Sequence, residues 1–375
     1  MVYECHGYLF NRFMLMINIC LLVRIMELIQ GIYKASEFAP QDFISNMPDN
    51  VVTNILDRLP VQLALRTSIL SRNWRFKWTM LTQLVFDDNF FEYLTKTSAE
   101  NNHGGIISRL LLNVKGGIEK FVFFMPKVID NNDVENINHW ILFLSRKRIK
   151  DITLTNTNVF FPLKLPTYFF SCLELKHLKL TRCWLHPPHN FHGFPNLLSL
   201  QLCLVQFESS ELGEILTRCP SLEILDMRFF FYACKVKLVD IVKAKNLKML
   251  SLSVCNIDAV AISSSTIFEL VGFLPKLQDL DLDFLDYTVK DAHPWPNPIP
   301  EVEYKTTGLR SVVFTYFAGS ENEVCLIKYI LACSPILEKI VIHPHWSLAS
   351  DGRLMFTRKL LKLRRASTVA EIDFD

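Results

Sequence analysis

Four side chains of the kind that bind metals fall at regular three-residue steps: Cys183, His186, His189 and His192. Thiolate and imidazole are zinc's usual ligands in tetrahedral sites, so the spacing alone describes a metal quartet. Pro187 and Pro188 interrupt the segment, and no regular helix can then aim all four at one ion. His343 and His345 flank Pro344 and read as a loop pair. No metal or cofactor is therefore expected. The sequence contains no G-x-S-x-G, H-E-x-x-H or G-x-x-x-x-G-K-S/T, and nothing pairs a nucleophile with a base. No catalytic residue is assigned. The run Phe229 to Phe231 reads as core and strand edge rather than a ligand cage. One charged pattern remains. Asp279, Asp281 and Asp283 alternate with apolar residues, so on a strand they share one face. Such a row could recognise a basic partner segment, at the cost of local like-charge repulsion.

The elements that must position these residues follow from composition and period. The chain has 375 residues, 50% hydrophobic and 21% charged, with a net charge of +2. That is enough for a sizeable core, in one large or two modest domains. The balance excludes wholesale disorder and a global electrostatic grip on nucleic acid. There are 54 leucines and only 12 glycines, which leaves little material for phosphate-cradling loops. The ten cysteines are spread from 5 to 333 with no C-x-x-C pair, and no N-x-S/T sequon occurs. Both facts favour a reducing compartment, with cysteines as small core residues.

Between 42 and 84 the pattern is helical. Asn46 and Pro48 suit a helix start. Val51, Val52, Ile55, Leu56 and Leu59 then recur on one helical stripe, and Pro60 ends it. Val61, Leu63, Ala64, Leu65 and Ile69 build a second short helix. Ser71 can cap a third that carries Trp74 and Trp78 on one face. About 40 residues bury too little surface to be very stable alone, and the apolar surface left open suits a partner.

The residues here, Met-Pro-Asp, then Ile-Leu, Leu-Pro-Val and Leu-Ser-Arg-Asn-Trp, resemble an F-box of the plant type. Met47 stands in place of the usual leucine, and Asn50 where an acidic residue is common. The resemblance implies docking on the Skp-type adaptor of a cullin-based ubiquitin ligase. The residues matching the family's docking surface are Pro48, Ile55, Leu56, Leu59, Pro60, Leu70 and Trp74. The physical logic is burial of apolar anchors in a partner groove.

From residue 149 onward L-x-x-L-x-L recurs. Its copies start at Ile149, Leu175, Leu197, Leu222, Leu247, Leu277, Leu309 and Leu337, with steps of 26, 22, 25, 25, 30, 32 and 28. This is the leucine-rich-repeat period. In each unit the last two apolar residues point inward from a strand, and only stacking buries them. A degenerate earlier copy is expected at Ile107, Leu110 and Leu112. Two copies extend into a cysteine, at Cys183 and Cys255, where the chain turns away from the strand. The returns are partly helical: one after Ser209 and Ser210 with Leu212, Ile215 and Leu216, another from Glu321 to Leu331. The four-proline connector His293 to Pro300 is expected to loop out, and Ala99 to Gly105 to hinge.

Residues 307–375 resemble the FBD region that follows such repeats in many plant F-box proteins. The match lies in Glu323 to Ile342 and in the tail Leu360 to Phe374. The tail keeps Arg364, Arg365, Ala366 and Ser367, with Thr368 where proline is common. Physically this region reads as two last repeat-like units and a basic tail that closes the solenoid.

The expected fold is α/β: a leucine-rich-repeat solenoid with a horseshoe-like parallel sheet, behind a small all-α F-box. The expected divisions are 1–40 as an apolar extension outside the fold, 41–84 F-box, 85–148 linker and degenerate first repeat, 149–306 repeats, and 307–375 FBD-like. The apolar run Phe13 to Val23 is about half the ~20 residues a spanning helix needs, so a membrane role is not expected. The resulting expectation is a non-catalytic substrate receptor in the nucleus and/or cytoplasm. It would hold a Skp-type adaptor, and through it a cullin, and a protein substrate, with Asp279, Asp281 and Asp283 as candidate substrate contacts. The alternatives are an interaction scaffold without ubiquitin transfer and, resting only on residues 13–23, a membrane-anchored repeat receptor.

Overall fold

The computed structural model describes residues 47–97, 102–125, 131–207, 211–228, 236–254, 270–285, 308–346, 348, 356–360 and 362–374. Asn46, Phe13 to Val23, Ala99 to Asn101, Ser209, Ser210, Phe229 to Phe231, Cys255 and His293 to Pro300 lie outside the described residues. The chain forms two compact units, 1–52 and 53–375.

In the first unit the described residues are the start of helix α1 (Asp49–Leu56). The Pro48 carbonyl accepts from the Val51 and Val52 amides at 3.0 and 3.1 Å, so proline sits at the turn that opens the helix.

The second unit begins with the rest of α1 and with α2 (Val61–Arg66), which starts directly after Pro60. A 3₁₀ turn, Thr67–Ile69, follows. The expected third helix is instead a series of turns and a 3₁₀ turn at Lys77–Met80. Ser71 does cap it, its Oγ accepting from the Trp74 amide at 3.3 Å. Trp74 is buried while Trp78 is only half-buried, because the tighter turn rotates residues four apart away from a common face.

The strands are β1 (Gln83–Phe86), β2 (Lys120–Met125), β3 (Asp151–Asn156), β4 (Leu163–Lys164), β5 (His177–Thr181), β6 (Cys183–Trp184), β7 (Ser199–Cys203), β8 (Ile224–Arg228), β9 (Met249–Ser253), β10 (Asp279–Asp283), β11 (Ser311–Phe317), β12 (Lys339–Pro344) and β13 (Glu371–Phe374). Eleven of them form one sheet in the order β1-β2-β3-β5-β7-β8-β9-β10-β11-β12-β13. Every pairing in it is parallel. The short β4 and β6 pair separately. The further helices are α3 (Asp88–Thr97), α4 (His103–Asn113), α5 (Asn131–Ser145), α6 (Glu211–Thr217), α7 (Leu238–Ile241) and α8 (Glu321–Cys333).

The repeat register holds residue by residue. Ile152, Leu178, Leu200, Leu225, Leu250, Leu280, Val312 and Ile340 pair in line across eight strands. All are at most 2% exposed. The first residue of each copy, from Ile149 to Leu337, is buried as deeply.

Three strands of the eleven-stranded sheet lie outside the eight expected copies. In β1 and β2 the motif is written with phenylalanine: Leu81, Leu84, Phe86 and Ile118, Phe121, Phe123, all at most 3% exposed. The rings Phe86 and Phe121 meet edge to face, with centroids 5.9 Å apart. In β13 it reads Val369, Ile372, Phe374. The copy expected at Ile107 is absent. Those residues lie in α4, where Ile107, Leu111 and Val114 are buried at helical spacing and Leu112 is 78% exposed. A gap of three then two fits a strand or a helix, and the burial of Leu111 and Val114 decides it.

Scarce glycine does not remove left-handed turns. Arg148, Arg182, Leu204 and Tyr316 take φ between 52° and 57°. Where no side chain fits, glycine is kept. Gly193 has φ +99°, and a Cβ there would lie 2.0 Å from the Arg218 carbonyl oxygen.

The returns match the expected helices. Leu212, Ile215 and Leu216 of α6 are buried. Helix α8 covers Glu321–Cys333 and opens with a capping box between Ser320 and Glu323. The tail returns to the sheet. The Ser367 hydroxyl, 3% exposed, donates to the Leu337 carbonyl at 2.6 Å. Arg365 Nη1 donates to the Ala370 carbonyl at 2.7 Å, and β13 then pairs with β12.

Candidate functional site

The helical module presents two classes of residue. Leu56 and Trp74 are 0% and 4% exposed. Both belong to the core of this chain. Their packing inside the module holds the exposed side chains above them in place. Ile55, Leu59 and Pro60 are half-buried, while Leu70 is 54% exposed. Pro48, in the first unit, is exposed.

The structure adds residues that the motif did not single out. Ile69 and Phe76 are 79% and 65% exposed. Ile69 leaves the helical stripe because the 3₁₀ turn at 67–69 breaks its period. With Ser68, Ser71, Arg72 and Arg75 it lines a shallow depression. Apolar side chains beside two guanidinium groups make a surface that can accept apolar contacts with an acidic rim.

Asp57 ties the end of α1 to the first strand. One carboxylate oxygen accepts from the Thr82 amide at 2.9 Å and the other from the Thr82 hydroxyl at 2.6 Å. The module is thereby anchored at the edge where the repeat sheet begins.

The second candidate surface is the outward face of β8 to β10. Asp226, Ser251 and Asp281 stand side by side in register on these strands. Arg228 binds Asp226 through Nε at 2.9 Å and Nη2 at 2.7 Å, and reaches Asp281 through Nη1 at 3.2 Å. Burial pushes the Asp281 carboxyl above the usual carboxylate range, partly offset by Arg228. Asp279 is exposed, and burial also moves its carboxyl upward, less the pull of Arg310. Asp283 is only 2% exposed and its Oδ1 accepts from the Leu285 amide at 2.7 Å. Its side chain is thus held within the turn that follows β10.

His186 Nδ1 lies 2.5 Å from Glu211 Oε1, and Cys183 is fully buried with its thiol pushed up to about 12 by desolvation. Among the described residues no group of three or more His, Cys, Asp or Glu is placed to hold a metal ion. Cys172, Cys183, Cys203, Cys219 and Cys325 are free thiols. Among the described residues no helix is long and apolar enough to cross a membrane.

Two family models match parts of this chain. Residues 44–84 match the family model "F-box domain". Residues 137–271 match the model "FBD-associated F-box protein At5g56370, LRR repeats". F-box/FBD/LRR-repeat protein At1g13570 of Arabidopsis thaliana is 30% identical over 323 residues, 80% of this chain and 76% of that protein. F-box protein At1g80960 of the same plant is 30% identical over 254 residues, 64% of this chain and 51% of its own length. The chain belongs to the F-box/FBD/leucine-rich-repeat protein family, known from plants.

Proposed function

We propose that this chain is the substrate-recognition subunit of an SCF (Skp–cullin–F-box) E3 ubiquitin ligase, working in the nucleus and/or cytoplasm. The observation that carries this reading is the helical module at 49–80. It keeps Leu56 and Trp74 inside and turns Ile69, Leu70 and Phe76 outward, beside a long parallel sheet built to present a surface. In this reading Leu70, with Ile55, Leu59, Pro60 and Pro48, meets a Skp-type adaptor, and through it a cullin. Leu56 and Trp74 support that surface from beneath. The repeats hold a protein substrate. The chain itself supplies no bond-making group; its contribution to rate is proximity and orientation.

Co-expression with a Skp-type adaptor and a cullin should yield a ternary complex by gel filtration. That complex should transfer ubiquitin to a partner held on the repeats. If the chain stays free while a control F-box protein loads the same adaptor, the scaffold reading replaces this one.

A further inference from the structure

The outward face of β8 to β10 holds more negative charge than it neutralises. Asp226 and Asp281 share the single guanidinium of Arg228, and exposed Asp279 lies two residues before Asp281 on β10. Of the nearby cations, Lys248 binds Glu223 at 2.7 Å and Arg310 binds Glu338 at 2.7 Å; Arg310 still draws the Asp279 carboxyl down, as His343 does Asp281.

A second, independent feature points to a ligand. Leu250 and Leu252 turn inward, so Ser251 projects to the opposite face with Asp226 and Asp281. Ser251 is 0% exposed, and its Oγ has no hydrogen-bond partner. Oδ1 of Asp281 is likewise buried without a partner by hydrogen-bond geometry, although the Thr315 hydroxyl helps to hold its charge. Buried hydroxyls and carboxylates are ordinarily satisfied. Here a hydroxyl on β9 and a carboxylate oxygen in register with it on β10 both lack a hydrogen-bond partner by geometry, along the row that Arg228 reaches across.

We propose that this face binds a basic segment of a partner protein. One arginine or lysine side chain of the partner lies over Ser251, between Asp226 and Asp281, and Asp279 extends the contact along β10. Arg228 is the internal occupant of the same row: a guanidinium already fits there bidentately on Asp226, and an incoming cation shares or takes its place. A planar fork suits paired carboxylate oxygens better than an ammonium does, so arginine is preferred over lysine. The proposal rests on the receptor reading for its biological setting and on this geometry for its chemistry.

The test uses the full chain, mixed with a Skp-type adaptor, and fluorescent decapeptides of matched length carrying four arginines, four lysines or four glutamates. Anisotropy should show binding in the order arginine, lysine, glutamate, weakening as salt is raised. Asp281→Asn and Asp279→Asn should each weaken the arginine peptide about tenfold, the loss of one charged hydrogen bond. Glu119→Gln, which removes an exposed acid paired to Lys150 at the other end of the sheet, should leave it unchanged. Should Asp281→Asn fail to fold, exposed Asp279 decides the question. Equal affinity for arginine and glutamate peptides, or wild-type affinity in Asp279→Asn, overturns the proposal. Adaptor capture is read in the same samples. Capture without peptide preference sinks this inference and spares the receptor reading; peptide preference without capture does the reverse.

Discussion

If Leu56 is core and Leu70 is contact, the two leucines must fail in different ways. Leu56 is 0% exposed, so Leu56→Ala removes a fully buried side chain and should cost about 2–5 kcal/mol of module stability. Leu70 and Ile69 are 54% and 79% exposed. Complete burial of such a side chain is worth about 1.5–3 kcal/mol. Scaling by exposure leaves about 2–4 kcal/mol for the pair to gain only when a partner covers them. Ile69→Ala with Leu70→Ala should thus raise the adaptor's Kd by roughly 30- to 700-fold, an upper limit because ordering costs are neglected. The double variant should keep native hydrogen-exchange protection across 49–80. Leu56→Ala should lose that protection first and adaptor binding with it. The measurements are calorimetric titration with a Skp-type adaptor and exchange mass spectrometry on the same proteins. Wild-type affinity in the Ile69/Leu70 double variant, with Leu56→Ala still folded, would refute the division into core and contact.

Three further outcomes follow from the repeat region. Burial raises the Asp281 carboxyl, so the fold favours its protonated form. Its contribution is present below the ordinary carboxylate value of about 4 and is lost as pH rises through the folded value. Melts of wild type and Asp281→Asn should accordingly diverge in the variant's favour as pH rises above about 4, and a constant difference would contradict this. Cys172 and Cys183 are pushed up to about 12 and Cys219 to about 11 by burial. At pH 8 a thiol at 12 is thiolate on the order of 10⁻⁴ of the time, so iodoacetamide should leave these three unmodified until denaturant is added, as read by mass spectrometry. Ser367→Ala removes the buried bond to the Leu337 carbonyl and should cost about 1–2 kcal/mol. Faster amide exchange in 371–374 should report it, because that bond precedes β13.

Much of this architecture was legible because the leucine ladder is a local pattern with a global meaning. A unit of about 25 residues cannot bury its own strand, so a repeated L-x-x-L-x-L already implies stacking and a parallel sheet. All eight copies from Ile149 to Leu337 became paired strands. The two edge repeats at Leu81 and Ile118 were missed for a nameable reason. Phenylalanine fills both inward positions of β2 and the second of β1, and the aromatic cluster of Phe86, Phe90, Phe121 and Phe123 packs where leucines pack elsewhere. The false copy at Ile107 shows the converse, since spacing alone fits both periods. In the F-box, the motif located the module but not which of its residues face out. Leu56 and Leu70 are equally leucine in the sequence, and only the 3₁₀ turn at 67–69 separates their fates.

By itself, then, the sequence determined the repeat register, the helical module and the acidic alternation on β10. Each depends on neighbours a few residues apart, and the period states which side a residue takes. Tertiary structure decided which of those residues remain available. Asp283 is enclosed by its own turn, and Asp281 is shared with an arginine 53 residues earlier in the chain. Ser251 is left without a partner between two carboxylates that the fold brings into line. Those outcomes depend on contacts across strands, and strand-to-strand neighbours are fixed only when the solenoid closes on its core.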